Sequence, residues 1–144
     1  MTRHVLIPID GSEPARAAID YAFENHATDD LTVLNIVDPG ELTPYAGVEG
    51  GAMIDFAELH EQRKRDAEAL FETVREKAAD VGVEISTELV TGRVGHTIVE
   101  YATEHGVDHI VIGSHGRSGV DRLLLGSVAE TVARRSPVPV TIVR

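Results

Sequence analysis

The chain has 144 residues, of which 42% are hydrophobic and 26% charged, with 13 Gly and 6 Pro; this is the length of one domain and the composition of a folded globular protein rather than a disordered or fibrous one. It contains no Cys, which excludes disulfides, thiolate zinc sites and cysteine nucleophiles. Its 13 Lys and Arg stand against 24 Asp and Glu, a net charge of -11, and aromatics make up only 4%, a balance that excludes a general nucleic-acid binder.

His4 to Ile9 reads as a buried strand, broken by Asp10-Gly11-Ser12. Pro14 and the apolar Ala18, Ile19, Ala22 and Phe23 then recur at helical spacing, with Ser12 placed to cap the helix. Leu31 to Val37 is a second buried strand between Asp29-Asp30 and Asp38-Pro39-Gly40. Glu41 to Ala52 holds Pro44, Gly47, Gly50 and Gly51 and reads as a loop. A long helix is predicted from about Ile54 to Val81, with Ala67, Leu70, Phe71, Val74, Ala78 and Val81 on one face, a Glu61 to Arg65 pair on another, and Gly82 as its stop. Val83 to Val90 alternates in part and predicts an edge strand. A helix carrying Ile98, Val99 and Ala102 ends at Gly106; Val107 to Ile112 makes a fourth strand running into Gly113. A helix from Ser127 to about Arg135 and a strand from Val138 to Val143 complete the chain. Strands alternating with helices predict one doubly wound α/β domain over residues 1–144, with a parallel sheet covered on both faces. The N-terminal apolar run is too short for a secretion signal and no stretch reaches membrane-spanning length, so a cytoplasmic protein without membrane contact is expected.

Only Lys64 and Lys77 are lysines. An acidic, lysine-poor surface is screened at molar salt and suits a salt-rich cytoplasm, which points to a halophilic source. Such a surface repels an anion at long range, so an anion site here needs concentrated local donors. The stretch Gly113-Ser114-His115-Gly116-Arg117-Ser118-Gly119, followed by Gly126-Ser127, has them. Glycines allow close approach of the backbone and a nest of N–H groups, the helix starting near Ser127 adds its positive dipole end, and Arg117 adds a charge. Ser127-Val128-Ala129-Glu130 also reads as a capping box that needs no ligand, and the sequence leaves both roles open. Neither the P-loop pattern nor the dinucleotide fingerprint is present.

Asp10, closing the first strand, is placed either to accept from a ligand in the crevice beyond the sheet or to form an Asx-turn before Ser12. Asn35, Ile36 and Val37 end the second strand, where core packing is the stronger reading and a boundary for an adenine the other. His105 and His109 straddle Gly106 and do not share a helical face, which argues against a metal pair. His115 reads first as an exposed loop histidine. A Ser12, His115, Asp10 triad has nothing to order it, and no G-x-S-x-G elbow is present.

The spacing Gly113-x2-Gly116-x9-Gly126-Ser127 resembles the nucleotide-binding signature of the ATP-binding subclass of the universal stress protein family. Pro8-Ile9-Asp10-Gly11-Ser12, Asn35-Ile36-Val37-Asp38 and the ending Ser136-Pro137-Val138-Pro139-Val140 agree with that family in order and position, so the resemblance spans the chain. It implies a Rossmann-like, doubly wound, five-stranded parallel sheet with helices on both faces, and a homodimer meeting through the C-terminal strand. It further implies adenine-nucleotide contacts from Pro8, Ile9, Asp10, Ile36, Gly113, His115, Gly116, Arg117, Gly126, Ser127 and Val128. Asp10 and Gly113 would meet the nucleoside and Ile36 the adenine; Gly116, Arg117, Gly126, Ser127 and Val128 would line the phosphates of ATP, with Mg2+ or Mn2+. Thr91-Gly92 would border the pocket. The expected function is an ATP-binding stress-response sensor or switch with an unknown downstream partner; a slow ATP hydrolase, or a nucleotide-free dimeric interaction module, are the alternatives.

Overall fold

In a computed structural model that describes residues 2–41, 56–115 and 125–144, strands and helices alternate along the chain. They are β1 (His4–Pro8), α1 (Glu13–Asn25), β2 (Asp30–Val37), a one-turn 3-10 helix (Pro39–Glu41), α2 (Phe56–Asp80), β3 (Ile85–Thr91), α3 (Val94–Glu104), β4 (His109–Gly113), α4 (Ser127–Arg135) and β5 (Val140–Val143). The five strands form one sheet in the order β3-β2-β1-β4-β5, and every neighbouring pair is parallel. From β1 the chain winds outward through β2 to β3, then returns to the other side of β1 for β4 and β5.

The inner strands are apolar without interruption because both their faces are covered. Val5, Ile7, Val33 and Val111 point to the face packed by α1 and α2, against Ala18, Ile19, Ala22, Phe71 and Ala78. Leu6, Leu34, Ile110 and Ile112 point the other way, against Ile98, Tyr101 and Ala102 of α3 and Val132 of α4. Phe71, 1% exposed, anchors α2 on the sheet; truncating such a ring to Ala costs about 3–5 kcal/mol. β3, at the edge, is half-exposed along its length, in keeping with its weaker alternation.

Three strands start later than their apolar sequences suggest: β5 begins at Val140 rather than Val138, and β3 and β4 are shortened for one reason. The N–H groups of Gly82 and Val83 turn back to the carbonyls of Ala79 and Ala78 (3.2 and 2.9 Å), closing α2 through Gly82 at φ 72°. Val83 is therefore spent on the helix cap and β3 begins at Ile85. Val107 N–H likewise donates to Ala102 (3.1 Å), so β4 begins at His109 rather than Val107. Beyond the end of α2, Val81 is 60% exposed and leaves the apolar face predicted for it. The expected Glu61 to Arg65 pair does not form: Glu61 takes Lys64 (3.5 Å) and Arg65 donates to Gln62 (2.8 Å). Residues 42–55, which hold most of the predicted loop and the expected start of the long helix, lie outside the described residues.

Candidate functional site

The strand order reverses between β1 and β4, and beyond the carboxyl ends of those strands a doubly wound sheet leaves a crevice. Here it is a cleft of about 1200 Å³. Pro8, Ile9 and Asp10 enter it from β1, Ile36 from β2, Gly113 and His115 from β4, and Gly126, Ser127 and Val128 from α4. Chain segments far apart in sequence thus meet at one place. Gly116 and Arg117 lie outside the described residues.

Short hydrogen bonds hold these segments together. Ile9 N–H donates to Leu34 O and Asn35 Nδ2 donates back to Ile9 O, both at 2.8 Å, so Asn35 fixes the end of β1 rather than only filling the core. Asp10 Oδ1 accepts from Ser12 N–H (3.0 Å), which confirms the Asx-turn while the residue still lines the cleft. Gly11 stands in this turn at φ 84°, a backbone state that side chains disfavour. Ser12 caps α1 through Oγ, which accepts from Ala15 N–H at 3.3 Å. On the other wall, Ser114 N–H reaches Val143 O (2.8 Å) and Gly126 N–H reaches Ser114 O (2.7 Å), tying the start of α4 to the end of β4.

That tie overturns the expected capping box. Gly126, not Ser127, occupies the N-cap of α4, and no side chain caps the helix. Ser127 is already inside the helix, and Glu130, instead of reaching back, pairs with Arg134 (2.8 Å). The uncapped first turn, with its N–H groups and positive dipole end, is therefore available to an anion in the cleft. His115 is also corrected: it is half-buried rather than an exposed loop residue. Its Nδ1 shares a 3.1 Å hydrogen bond with the Ser114 hydroxyl, and its Nε2 is buried with no partner among the described residues. A buried ring nitrogen left unsatisfied costs roughly 1–3 kcal/mol, and His115 is one of the residues that line the cleft.

Several lining residues have no counterpart in the sequence-based set: Arg63, Asp66 and Leu70 from α2, and Arg93, His96 and Arg135 from α3 and its approaches and from α4. Arg93 was findable, since it stands two residues past the end of β3. Arg63 and Arg135 sit within helices whose orientation only the packed fold defines. Thr91 and Gly92 miss the cleft and border an adjoining groove of about 370 Å³ beside α3, which shares Arg93 and His96 with the cleft.

A doubly wound parallel sheet with a cleft at its switch point defines the general class of α/β ligand-binding domains. Within that class, the chain belongs to the universal stress protein family, whose pattern it matches over residues 1–144. It is 34% identical to the universal stress protein YxiE of Bacillus subtilis, with all of both chains covered. It is 30% identical to universal stress protein MJ0577 of Methanocaldococcus jannaschii, covering 100% of this chain and 96% of that one; the structure of MJ0577 superposes with a TM-score of 0.81 over 99% and 96% of the two chains. A universal stress protein solved in complex with cAMP is 28% identical, with a TM-score of 0.69 over 99% of this chain and 97% of that one.

Proposed function

We propose that this chain is a cytoplasmic, ATP-binding universal stress protein whose bound nucleotide acts as a sensor or switch in a stress response. The observation that carries the reading is the convergence of nine sequence-predicted residues on one cleft whose wall includes an uncapped helix N-terminus. The residues present fit an adenine nucleotide. Ile36, Val37 and Leu34 offer an apolar wall for the base, Asp10 an acceptor for ribose hydroxyls, and the first turn of α4 a set of donors for phosphate oxygens. The orphaned His115 Nε2 supplies one more polar contact. A relative solved with cAMP supports an adenine nucleotide as the ligand class.

Mg2+ or Mn2+ would neutralise phosphate charge. Among the described residues no group of three or more His, Asp or Glu is placed to hold a metal, and the reading assigns the cation to the phosphate oxygens. β5 is an edge of the sheet, where a two-fold contact between C-terminal strands would make a homodimer. Denaturing the purified protein and identifying any released nucleotide tests the reading, followed by titration calorimetry with ATP and Mg2+ in KCl. One adenine nucleotide per chain is expected. A protein that releases none and gives no heat with ATP refutes it.

A further inference from the structure

The cleft of this acidic protein collects positive charge that has no partner among the described residues. Arg63, Arg93 and Arg135 line it, and none of them forms a hydrogen bond or ion pair through its side chain with any described residue. Outside the cleft, Lys64 pairs with Glu61, Arg75 with Glu68 and Glu72, Lys77 with Asp20 and Arg134 with Glu130, while Arg16, exposed on α1, has no side-chain partner among the described residues. Carboxylates for such pairs are present in the cleft, since Asp10, Asp38 and Asp66 line it too. Asp38 and Asp66 instead accept from neutral donors, Gly40 N–H (2.8 Å) and Gln62 Nε2 (2.9 Å). Guanidinium groups gathered at one site without a carboxylate partner among the described residues are placed to answer an anion.

Arg63 and Arg93 approach from opposite faces of the sheet. Arg63, half-buried, comes from α2 on the α1 side. Arg93 is the N-cap of α3 on the other side and makes no side-chain cap bond. Arg135 stands at the far end of α4, about 12 Å along the helix from Ser127 at 1.5 Å per residue, and is remote from the N–H donors.

We propose that Arg63 and Arg93 form a two-sided guanidinium clamp on the polyphosphate end of the ligand, so that the cleft selects among adenine nucleotides by phosphate number and holds the triphosphate above cAMP or AMP. This rests on the adenine-nucleotide reading of the cleft. The base wall serves adenosine, AMP and ATP alike and the first turn of α4 receives phosphate oxygens; the clamp adds charge for the outer phosphates.

Calorimetry with ATP, AMP, adenosine and inorganic tripolyphosphate, on the wild type and on Arg63→Gln, Arg93→Gln and Lys64→Gln, tests the clamp. Each arginine variant removes one charge-assisted hydrogen-bonding group, which weakens ATP and tripolyphosphate about tenfold and leaves adenosine unchanged. Lys64→Gln removes the same charge one residue away, outside the cleft, and leaves all four ligands unchanged. Arg63→Lys, which keeps the charge and the stem, covers a misfolded Arg63→Gln and shows an intermediate loss. Wild-type ATP affinity in both arginine variants overturns the clamp while leaving the nucleotide reading intact. If neither adenosine nor ATP binds the wild type, the nucleotide reading falls and tripolyphosphate decides: arginine-dependent binding upholds the clamp, and no binding overturns it.

Discussion

Gly113 is the residue of the cleft whose identity is most tightly dictated by packing. It closes β4 directly beneath the first turn of α1, and a Cβ built on it would lie 2.6 Å from both the carbonyl carbon and the oxygen of Pro14, and 2.9 Å from the Pro14 Cβ. Ordinary contact begins at 3.4 Å, so the gap is short by about 0.8 Å. The obstacle is main chain and cannot rotate away. It is also held on both sides: Arg16 N–H bonds to Ser12 O (3.1 Å) in α1, and Ser114 N–H to Val143 O (2.8 Å) beyond β4. Gly113→Ala therefore lifts α1 off the sheet and loosens the packing of Ala15, Ala18, Ile19 and Ala22, all buried. Overpacking of this kind costs roughly 1–3 kcal/mol; at about 2–4 °C per kcal/mol for a chain of this size, the melting temperature falls by roughly 2–12 °C. Gly82→Ala is the comparison, because Gly82 has φ +72° but no atom within 4 Å of its added Cβ. It bears only left-handed strain, about 1–2 kcal/mol, far from the cleft. Thermal unfolding followed by circular dichroism, with and without ATP, separates the two: both variants melt lower, and only Gly113→Ala also loses part of the ATP-induced stabilisation. A Gly113→Ala protein that melts within about one degree of wild type refutes the steric account.

The remaining predictions concern caps, the orphaned imidazole, pH and salt. Ser12→Ala lowers stability by about 1 kcal/mol in urea unfolding, because Ser12 caps α1, whereas Ser127→Ala, inside α4, changes it by less than about 0.5 kcal/mol; equal losses would restore the capping box. His115→Phe removes both the buried Nε2 that has no partner among the described residues and the Nδ1 bond to the Ser114 hydroxyl, so its two effects on stability oppose each other while ATP weakens in calorimetry; wild-type ATP affinity would contradict this. Burial first, then the positive charges of His26 and Arg3, hold the His109 imidazole below its usual range. Its contribution to stability is therefore complete above about pH 6.5 and declines as pH falls toward its folded value, and His109→Gln flattens the urea midpoint against pH between about pH 7.5 and 5.5. Raising KCl from about 0.1 to 1 M increases the association rate of ATP in stopped-flow mixing, since the Debye length shrinks from about 10 to 3 Å; a rate that falls instead would show that the cleft's own charge governs the approach.

The sequence made the architecture and the strand-end wall of the cleft legible because those depend on strand ends. Ser127–Arg135 was predicted and found as α4, and Pro8 to Asp10, Ile36 and Gly113 sit where a reversal of strand order puts them. What escaped was tertiary in origin. The starts of β3 and β4 moved because Val83 and Val107 are drawn into helix caps, a competition that apolar periodicity does not register. The capping box at Ser127 failed because Gly126 N–H is taken by Ser114 O, a hydrogen bond across 12 residues that fixes the glycine as the N-cap. Arg63 and Arg93 are 30 residues apart on elements covering opposite faces of the sheet, and no local pattern joins them.

These two scales also reconcile an anion site with a net charge of -11. The repulsive field of a surface dominated by Asp and Glu acts over distances that salt shortens, whereas hydrogen bonds from guanidinium and helix N–H groups act within about 3 Å, inside the Debye length even at 1 M. A salt-rich cytoplasm would thus suppress the unfavourable term more than the favourable one. The same separation explains why the cleft's own carboxylates need not oppose a phosphate ligand at full strength. Asp10 and Asp38 accept from backbone N–H groups of their own turns, which bring local positive dipoles to partly offset each negative charge. Arg63 and Arg93 have no such local compensation among the described residues, so the positive charges in the cleft remain available to a ligand while part of its negative charge is already answered.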